Sequence, residues 1–316
     1  MLSLFSGIGA YEEALKNLNI PIELINYCEI DDKAAKAYSV LHNEPISKNL
    51  GDITKVDETK LEDFDLMTYS FPCQDISALG NQKGLFDKDG NKTRSGLFFD
   101  AIRIAKYKKP KYMIAENVKA LATKTFRNDL NNMIKLLDNI GYNTYWKVLN
   151  SKDYGIPQSR NRIYIVSIRK DIDKGNFEFP NPIQLIHKAK DFYEKDTVSD
   201  EYYLRESDKK YLSDFRLKKK YSSLNADVII CQTTKQGNLA NPQNFIRDDK
   251  GYRVMTPNEL LSLQGFKSDY GNLLLDNGFT KEQIGKMSGN SVTVNVLEEI
   301  FKKLVKSILL HINETA

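Results

Sequence analysis

Cysteine and histidine are scarce in this chain, which contains three of each among 316 residues. The cysteines, Cys28, Cys73 and Cys231, are widely spaced, and the C-x-x-C spacing of zinc sites does not occur in the sequence. Their odd number argues against a disulfide-stapled secreted domain and favours a reducing, intracellular setting. We therefore expect no metal site, and each cysteine can be considered as a nucleophile.

Long apolar runs are also missing. No segment approaches the roughly 20 apolar residues of a membrane-spanning helix, and the N-terminus lacks a signal-peptide pattern. The composition, 41% hydrophobic and 28% charged, is ordinary for a globular protein. The net charge of +4 permits a nucleic-acid partner without requiring one. We expect a cytoplasmic protein with no membrane partner.

Strand-like and helix-like segments alternate over roughly the first 170 residues. This alternation predicts a Rossmann-like α/β fold, with a mixed, mostly parallel sheet and helices on both faces. Ligands of such sheets bind beyond the carboxyl ends of the strands. The expected strands include 2–10, 22–31, 64–72 and 111–118, and the expected helices include 97–108 and 126–140.

The pattern changes after about residue 170. Residues 170–250 are polar and lysine-rich with weak periodicity, and they include the basic run RLKKKY at 216–221. Thr256, Pro257 and Glu259 predict a capped helix at the start of 256–266. We predict a catalytic and cofactor-binding domain over 1–169, a small target-recognition domain over 170–283, and a helix within 284–316 that returns to the first domain.

Three segment ends carry residues that suit a nucleoside-containing cofactor. Gly7 and Gly9 allow close backbone approach to a ligand between a strand and a helix. Glu29 can accept hydrogen bonds from ribose hydroxyls, and Asp52 can bind an adenine amino group. Each feature alone also fits a plain turn or a surface carboxylate. Because they recur at successive segment ends, together they predict a cofactor site.

A second group of residues suits covalent chemistry. Cys73 follows Pro72 at a strand end, and for this cysteine alone packing and nucleophilic roles fit equally well. Cys28 and Cys231 lie in apolar contexts that favour packing. Glu116 and Asn117 end the next strand, where a carboxylic acid can protonate a substrate ring nitrogen.

Two further features surround that group. Arg160 and Arg162 are two residues apart, so they project to one face of a strand and can clamp a phosphate or carbonyl group. A solvated basic strand edge is the alternative. The polar, glycine-rich segment 74–96 predicts a mobile loop that closes beside Cys73.

Taken together, these motifs resemble the cytosine-C5 DNA methyltransferase family of the restriction-modification type. The segments LFSGIG, GDIT, SFPCQ, RSGLFFDAIRI, AENV, QSRNRIYIV, RVMTPNELLSLQGF and GNSVTVNVL occur in the family order. The ordered set covers most of 1–170 and 253–300 and is far more specific than P-C-Q alone. The resemblance implies S-adenosylmethionine as cofactor, no metal, double-stranded DNA as partner, and a monomer, nucleoid-associated through DNA. It is also compatible with a restriction endonuclease that acts separately.

The resemblance also implies roles for particular residues. Cys73 would add to carbon 6 of a flipped-out cytosine, Glu116 would contact ring nitrogen N3 and Arg162 the base carbonyl, with Pro72 and Asn117 fixing the loop geometry. The cofactor would be lined by Phe5, Gly7, Gly9, Glu29, Ile30, Asp52, Ile53, Leu97, Asn290, Ser291 and Val292. DNA would be contacted by Gln74, Ser77, Arg94, Arg160, Thr233, Thr234 and Arg253.

Some positions depart from the family pattern. Ser3 stands where many relatives carry aspartate, and Ala10 replaces the second glycine of a G-G pair. Neither change affects the predicted catalytic residues. The recognition region, by contrast, matches no known specificity, so the register of Thr233 and Thr234 and the target sequence stay open.

Three alternatives remain. A tRNA cytosine-C5 methyltransferase would share the chemistry and change the substrate. A catalytically inactive DNA-binding regulator would be expected to lack Cys73 or Glu116, and both are present. A dinucleotide-dependent oxidoreductase would explain Gly7 and Glu29 but neither Cys73 nor Glu116.

Overall fold

A computed structural model describes residues 1–72, 85, 93–195, 198–213, 223–236, 238–239, 241 and 243–315. Three of the predicted site residues, Cys73, Gln74 and Ser77, lie outside the described residues. The basic run 216–221 and most of the predicted loop 74–96 lie outside them as well.

A six-stranded sheet forms the centre of the molecule. Its strands are β1 (Leu2–Leu4), β2 (Asn26–Cys28), β3 (Leu66–Tyr69), β4 (Tyr112–Val118), β5 (Tyr142–Asn150) and β7 (Asn161–Arg169), and the short β6 (Gln158–Ser159) pairs elsewhere. The spatial order is β2-β1-β3-β4-β7-β5. The first four strands run parallel, whereas β7 is antiparallel to both β4 and β5. The predicted mixed, mostly parallel sheet is confirmed.

Helices cover both faces of this sheet. The helices of the described residues are α1 (Ala10–Asn17), α2 (Asp32–His42), α3 (Phe98–Lys108), α4 (Arg127–Asn139), α5 (Lys210–Ser213), α6 (Pro257–Ser262), α7 (Tyr270–Asp276), α8 (Lys281–Asn290) and α9 (Val294–Thr315). All except α5 contribute buried residues to the two cores on either side of the sheet. Among the described residues, no helix has both the length and the apolar character to span a membrane.

The two faces are built by alternate residues of the strands. On β7, Ile163 and Ile165 pack in the core that contains α3 and α4. The alternate residues Tyr164 and Val166 pack in the core that contains α1 and α9. Successive side chains of a strand point to opposite faces, so a strand covered on both sides is apolar throughout. Burying one such isoleucine contributes about 1.5–3 kcal/mol.

The large core joins distant parts of the chain. Helix α9 packs along α1, with Ala14 and Leu15 in the same cluster as Leu297. Asn17 Nδ2 donates to Glu298 Oε1 at 2.8 Å across this contact. The strand–turn–helix at the start of the chain is therefore held by a helix near its other end.

The recognition region has a much smaller apolar cluster. It includes Ile229, Ile246 and Met255, and its short strands are β8 (Ser223–Leu224), β9 (Ile229–Ile230), β10 (Asn244–Arg247) and β11 (Tyr252–Arg253). Leu261, Phe266 and Leu274 belong instead to the large core. Leu260 and Leu263 still belong to the small cluster. We therefore propose a domain boundary just after α6 rather than at the predicted 283.

The sequence predicted where helix α6 begins more accurately than it predicted how long the strands are. Thr256 and Glu259 form the predicted capping box, with Pro257 as the first helical residue, although α6 ends at Ser262 rather than near 266. The strand predicted over 22–31 is paired only over Asn26–Cys28. Among the flanking residues Leu24 is buried, whereas Ile22 and Ile30 are exposed, so apolar character alone did not mark which residues are paired.

Helix α8 makes a very close backbone contact with residues 231–236, which follow β9 in the predicted recognition region and are called the recognition segment below. A Cβ atom added at Gly289 would lie 2.1 Å from the carbonyl oxygen of Thr233. Gly289→Ala should therefore destabilise the fold by about 1–3 kcal/mol through overpacking, although alanine favours a helix interior by up to about 1 kcal/mol. The urea unfolding midpoint measures this effect. Lys286→Ala, an exposed change on the same helix, should stay near neutral, and equal midpoints for the two variants would contradict the contact.

Candidate active site

The carboxyl ends of the four parallel strands meet at one edge of the sheet. The turn after β1 starts at Phe5, Glu29 follows β2, Ser70 follows β3, and Glu116 lies near the end of β4. The structure thus brings the predicted cofactor carboxylate and the predicted catalytic carboxylate to the same edge, with β1 and β3 between the strands that carry them.

Glu29 organises the turn after β1. The Gly7 amide donates to Glu29 Oε2 at 2.9 Å, and the Asp31 amide donates to Oε1 at 2.8 Å. Burial raises the pKa of Glu29, and the amide hydrogen bonds partly offset this rise. Gly7 has φ +55°, and a Cβ built there would meet nothing within 4 Å, so space lies open above the turn.

Asn49 is a site residue that the sequence did not reveal. Its Oδ1 accepts from the amides of Glu29 at 2.9 Å and Gly51 at 3.1 Å, and its Nδ2 donates to the Glu29 carbonyl at 2.9 Å. The side chain therefore fixes the segment that carries Asp52 relative to the end of β2. An asparagine in a polar loop gives no signal of such a contact.

The other residues predicted on the adenine side differ in exposure. The Ile30 side chain is 70% exposed, whereas Ile53 is buried at 3%. Asp52 is a helix cap, accepting from the amide and the hydroxyl of Thr54. Gly9 is required by packing, because a Cβ there would lie 2.1 Å from His42 Nε2.

The remaining predicted cofactor residues come from two later segments. Leu97 precedes α3 and packs partly buried on its core. Asn290 ends α8 and is exposed, while Ser291 and Val292 are buried in the link to α9. The structure places this link in the core that also contains α1.

An ion pair lies on the side of the edge where the catalytic residues are predicted. Arg162 Nε lies 2.9 Å from Glu116 Oε1, and both side chains are largely buried. Val118 is the direct partner of Arg162 across β4 and β7, so Glu116 is its diagonal neighbour on the same face. Burial raises the pKa of Glu116, and the guanidiniums of Arg162 and Arg160 only partly counter this rise.

Two side chains tie the end of β3 to β4. Asn117 Nδ2 donates to the Phe71 carbonyl at 3.0 Å. Ser70 Oγ accepts from the Glu116 amide at 2.9 Å and shares a hydrogen bond with Tyr11 OH at 2.7 Å. The chain is therefore fixed up to half-buried Pro72, immediately before Cys73. Asn117 was predicted for this loop, while Ser70 and Tyr11 were not.

Arg160 does not fit its predicted contact with a DNA phosphate. It is only 2% exposed, and its guanidinium donates to the carbonyls of Gln232, Gly289 and Ser291 at 2.9, 3.1 and 2.7 Å. The strand pattern predicted the direction of this side chain. It gave no indication that the recognition segment and the end of α8 would cover it.

Arg253 is also a structural residue rather than a predicted DNA contact. Both of its terminal nitrogens donate to the carboxylate of Glu259, at 2.8 and 2.7 Å, and its Nε donates to Asp248. The two side chains of the Arg253–Glu259 pair are 3% and 0% exposed. No phosphate can reach a guanidinium enclosed in this way.

Three other predicted DNA contacts lie at or near the surface. Arg94 and Thr234 are exposed, and Thr233 is half-buried, with its backbone against Gly289. Cys231, which was predicted as a packing cysteine, instead lies beside Arg160 and Arg162. Cys28 fits its packing role, because burial raises the pKa of its thiol to about 12.

The side chains and backbone groups at this edge of the sheet suit an organic cofactor. Among the residues that the structure describes, no three His, Cys, Asp or Glu side chains are grouped as metal ligands. What the edge offers is a carboxylate held by two amides, an open glycine turn and an exposed isoleucine. These groups suit ribose hydroxyls and an adenine ring.

Sequence comparison identifies relatives over nearly the whole chain. A family model described as C-5 cytosine-specific DNA methylase matches residues 1–306. The Type II methyltransferase M2.ScrFI of Lactococcus lactis subsp. cremoris is 36% identical over 93% of this chain and 81% of its own length. The Type II methyltransferase M.HaeII of Haemophilus aegyptius is 32% identical over 97% and 93%, respectively.

Solved structures support the same fold. The Dnmt2 methyltransferase of S. pombe aligns with a TM-score of 0.76 at 22% identity, covering 99% of this chain and 98% of its own. The methyltransferase EhMeth of Entamoeba histolytica aligns with a TM-score of 0.78 at 20% identity, covering 97% and 98%. At this identity the likeness extends to the fold alone.

The buried Arg253–Glu259 pair makes a testable prediction. Arg253→Met should lower the free energy of unfolding by about 3–5 kcal/mol, because it leaves a buried carboxylate without its cation. Urea denaturation measures the loss. Arg247→Met on neighbouring β10, where the arginine is exposed, should be close to neutral. Normal stability of Arg253→Met with weaker DNA binding would restore the predicted DNA contact.

Proposed function

Because the chain belongs to the C-5 cytosine-specific DNA methylase family, we propose that it methylates carbon 5 of a cytosine flipped out of duplex DNA, through a covalent bond from Cys73 to carbon 6. One observation carries the residue assignments. The buried Glu116–Arg162 pair lies beside the strand end that leads directly into Pro72 and Cys73.

The cofactor half of the site would hold S-adenosylmethionine. Glu29 would accept the ribose hydroxyls, and the open turn at Gly7 admits a ligand close to the backbone. The exposed side chain of Ile30 would pack on the adenine, which explains an apolar side chain in solvent at this edge. When bound, this cofactor supplies the methyl group that carbon 5 accepts.

The base half of the site would activate the cytosine. Carbon 5 is a poor nucleophile until the Cys73 thiolate adds at carbon 6 and converts the ring to an enamine. Glu116 would hold a proton at ring nitrogen N3, which stabilises the adduct, and Arg162 would contact the base carbonyl. Once carbon 5 has accepted the methyl group, a base would take the carbon-5 proton and the bond from Cys73 to carbon 6 would break. The methylated base and the thiolate are then released, so that one difficult step is divided into easier ones.

The electrostatics of the pair support these roles. Burial raises the pKa of Glu116 above its ordinary value, so this carboxyl takes up a proton more readily than a surface glutamate does. The adjacent cation of Arg162 keeps the carboxyl oriented toward the same face of the strand. A carboxyl group with a raised pKa and a fixed orientation can donate a proton to a ring nitrogen and accept it again.

The wider context follows from the relatives. Both Type II methyltransferases are named as such, which supports a role in a restriction-modification system with a separately acting endonuclease. We propose that the enzyme acts as a monomer in the cytoplasm, because one flipped base needs one active site. The positive net charge of +4 assists binding to duplex DNA.

The nucleophile can be tested together with the substrate class. Cys73→Ser should abolish transfer of a labelled methyl group to duplex DNA, because the thiolate is lost while the cofactor pocket remains. The wild type should also form a denaturant-resistant complex with DNA that contains 5-fluorocytosine, since fluorine blocks the final elimination.

Cys28→Ser is the matched control for that experiment. Cys28 is buried, and its thiol donates to the Gly51 carbonyl, a contact that a hydroxyl can keep. This variant should retain activity and adduct formation. Labelling of total tRNA but not of DNA would overturn the proposed substrate, and full activity of Cys73→Ser would overturn the mechanism.

Substitutions of the two carboxylates, Glu116 and Glu29, should affect different kinetic constants. Glu116→Gln should lower kcat by about 10²- to 10⁴-fold, as expected on loss of a general acid, and leave the KM for S-adenosylmethionine near the wild-type value. Glu29→Gln should mainly raise that KM. Because the pKa of Glu116 is raised, its proton persists to a higher pH than that of an ordinary glutamate. The wild-type pH–rate profile should show this dependence and Glu116→Gln should not; identical profiles would contradict the assignment.

A further inference from the structure

Cys231 reaches the catalytic edge through a short pair of parallel strands. Strand β9 pairs with β6 in the register Gln158 with Ile229 and Ser159 with Ile230. The next residue along each strand is Cys231 and Arg160. The Gln232 amide donates to Gln158 Oε1 at 3.0 Å, which fixes the recognition segment in this register.

The sulfur atom of Cys231 lies between two guanidinium groups. Arg160 Nη1 is 3.3 Å from Sγ and Arg162 Nη2 is 3.8 Å from it. Sulfur is a large, soft acceptor, so both distances are within its hydrogen-bonding range. Two cations that contact one atom repel each other, and negative charge on that atom reduces the repulsion.

The ionisation of the thiol agrees with this geometry. Burial opposes the thiolate, but the charges and hydrogen bonds of Arg160 and Arg162 together outweigh burial, and the pKa of Cys231 falls below its ordinary value. The pKa of Cys28 shifts in the opposite direction, because burial and the carboxylates of Glu29 and Asp52 all raise it. The two cysteines predicted as packing residues therefore have different environments.

The contacts of the Arg162 guanidinium include three that involve its three nitrogen atoms. Its Nε faces Glu116 Oε1 at 2.9 Å, its Nη1 donates to the Asn161 carbonyl at 2.9 Å, and its Nη2 faces Cys231. The first two partners belong to the central sheet. Cys231 is the partner among these three that comes from the recognition segment.

We propose that Cys231 is a positioning residue for methyl transfer: its sulfur holds the guanidinium of Arg162 in register with Glu116, and this inference rests on the proposed function of that pair. Arg160 secures the sulfur from the other side. Its guanidinium is itself fixed by the carbonyls of Gln232, Gly289 and Ser291. Folding of the recognition segment onto β6 thereby completes the base-binding side of the site.

Loss of this contact should affect the reaction more than the fold. A misplaced catalytic group can cost up to about 100-fold in rate even when substrates still bind. Cys231→Ala should therefore lower kcat by about 10- to 100-fold, with an unchanged KM for S-adenosylmethionine and an unchanged melting temperature. Cys231→Ser keeps an acceptor at the same place and should recover most of the rate. A kcat for Cys231→Ala equal to the wild-type value would overturn the inference.

A double-mutant cycle tests whether Cys231 acts through Arg162. In the Arg162→Lys background the guanidinium is gone, so adding Cys231→Ala should lower kcat little further. Single effects that multiply in the double variant would show that Cys231 acts independently of Arg162. That result would overturn the positioning role while leaving the proposed function intact.

A structural readout separates this inference from the proposed function. The ¹⁵N NMR signal of Arg162 Nε–H, assigned from its loss in Arg162→Lys, should be resolved in the wild type and in Cys231→Ser and broadened in Cys231→Ala. An unchanged signal in Cys231→Ala would overturn the inference. A wild type that methylates no nucleic acid would overturn the proposed function, and the NMR comparison would still decide whether Cys231 holds Arg162.

Discussion

The buried guanidinium of Arg160 is the point at which three separate stretches of the chain meet. Arg160 is the residue between β6 and β7. Its guanidinium donates hydrogen bonds to the carbonyl of Gln232 in the recognition region and to the carbonyls of Gly289 and Ser291 at the end of α8. A cation suits the carbonyl-rich end of a helix, and four atoms of the surrounding protein replace its water. In the proposed function, the cofactor side and the base side of the active site would therefore depend on one shared contact.

The sequence predicted the elements that local signals determine. The capping box of Thr256 and Glu259, the alternation of strands and helices, and the position of Glu116 at a strand end each depend on a few neighbouring residues. Arg160 was misassigned because its partners lie far along the chain, at Gln232, Gly289 and Ser291. Arg253 was misassigned because Glu259, six residues away, was interpreted as a helix-capping residue and not as the partner of an arginine. Asn49, Ser70 and Cys231 were missed for the same reason, since a single polar residue in a loop has no periodicity that reveals a distant partner.

The two carboxylates of the site illustrate how one sheet edge supports two kinds of chemistry. Glu29 receives two backbone amides, which orient its oxygens for a ligand. Glu116 faces a guanidinium, and burial leaves it more easily protonated than a surface glutamate. The strands supply the same geometry at both places, and the difference comes from what each loop and each neighbouring strand brings near the carboxyl group.

The packing of α9 along α1 has a consequence for the order of synthesis. The apolar side of α1, with Ala14 and Leu15, is made early, and its partner helix begins only at Val294. At about 5–20 residues per second, the ribosome needs on the order of tens of seconds to supply it. During that time the nascent chain exposes a hydrophobic surface beside an unfinished glycine turn, so chaperone occupancy should be concentrated on this face until the last helix emerges.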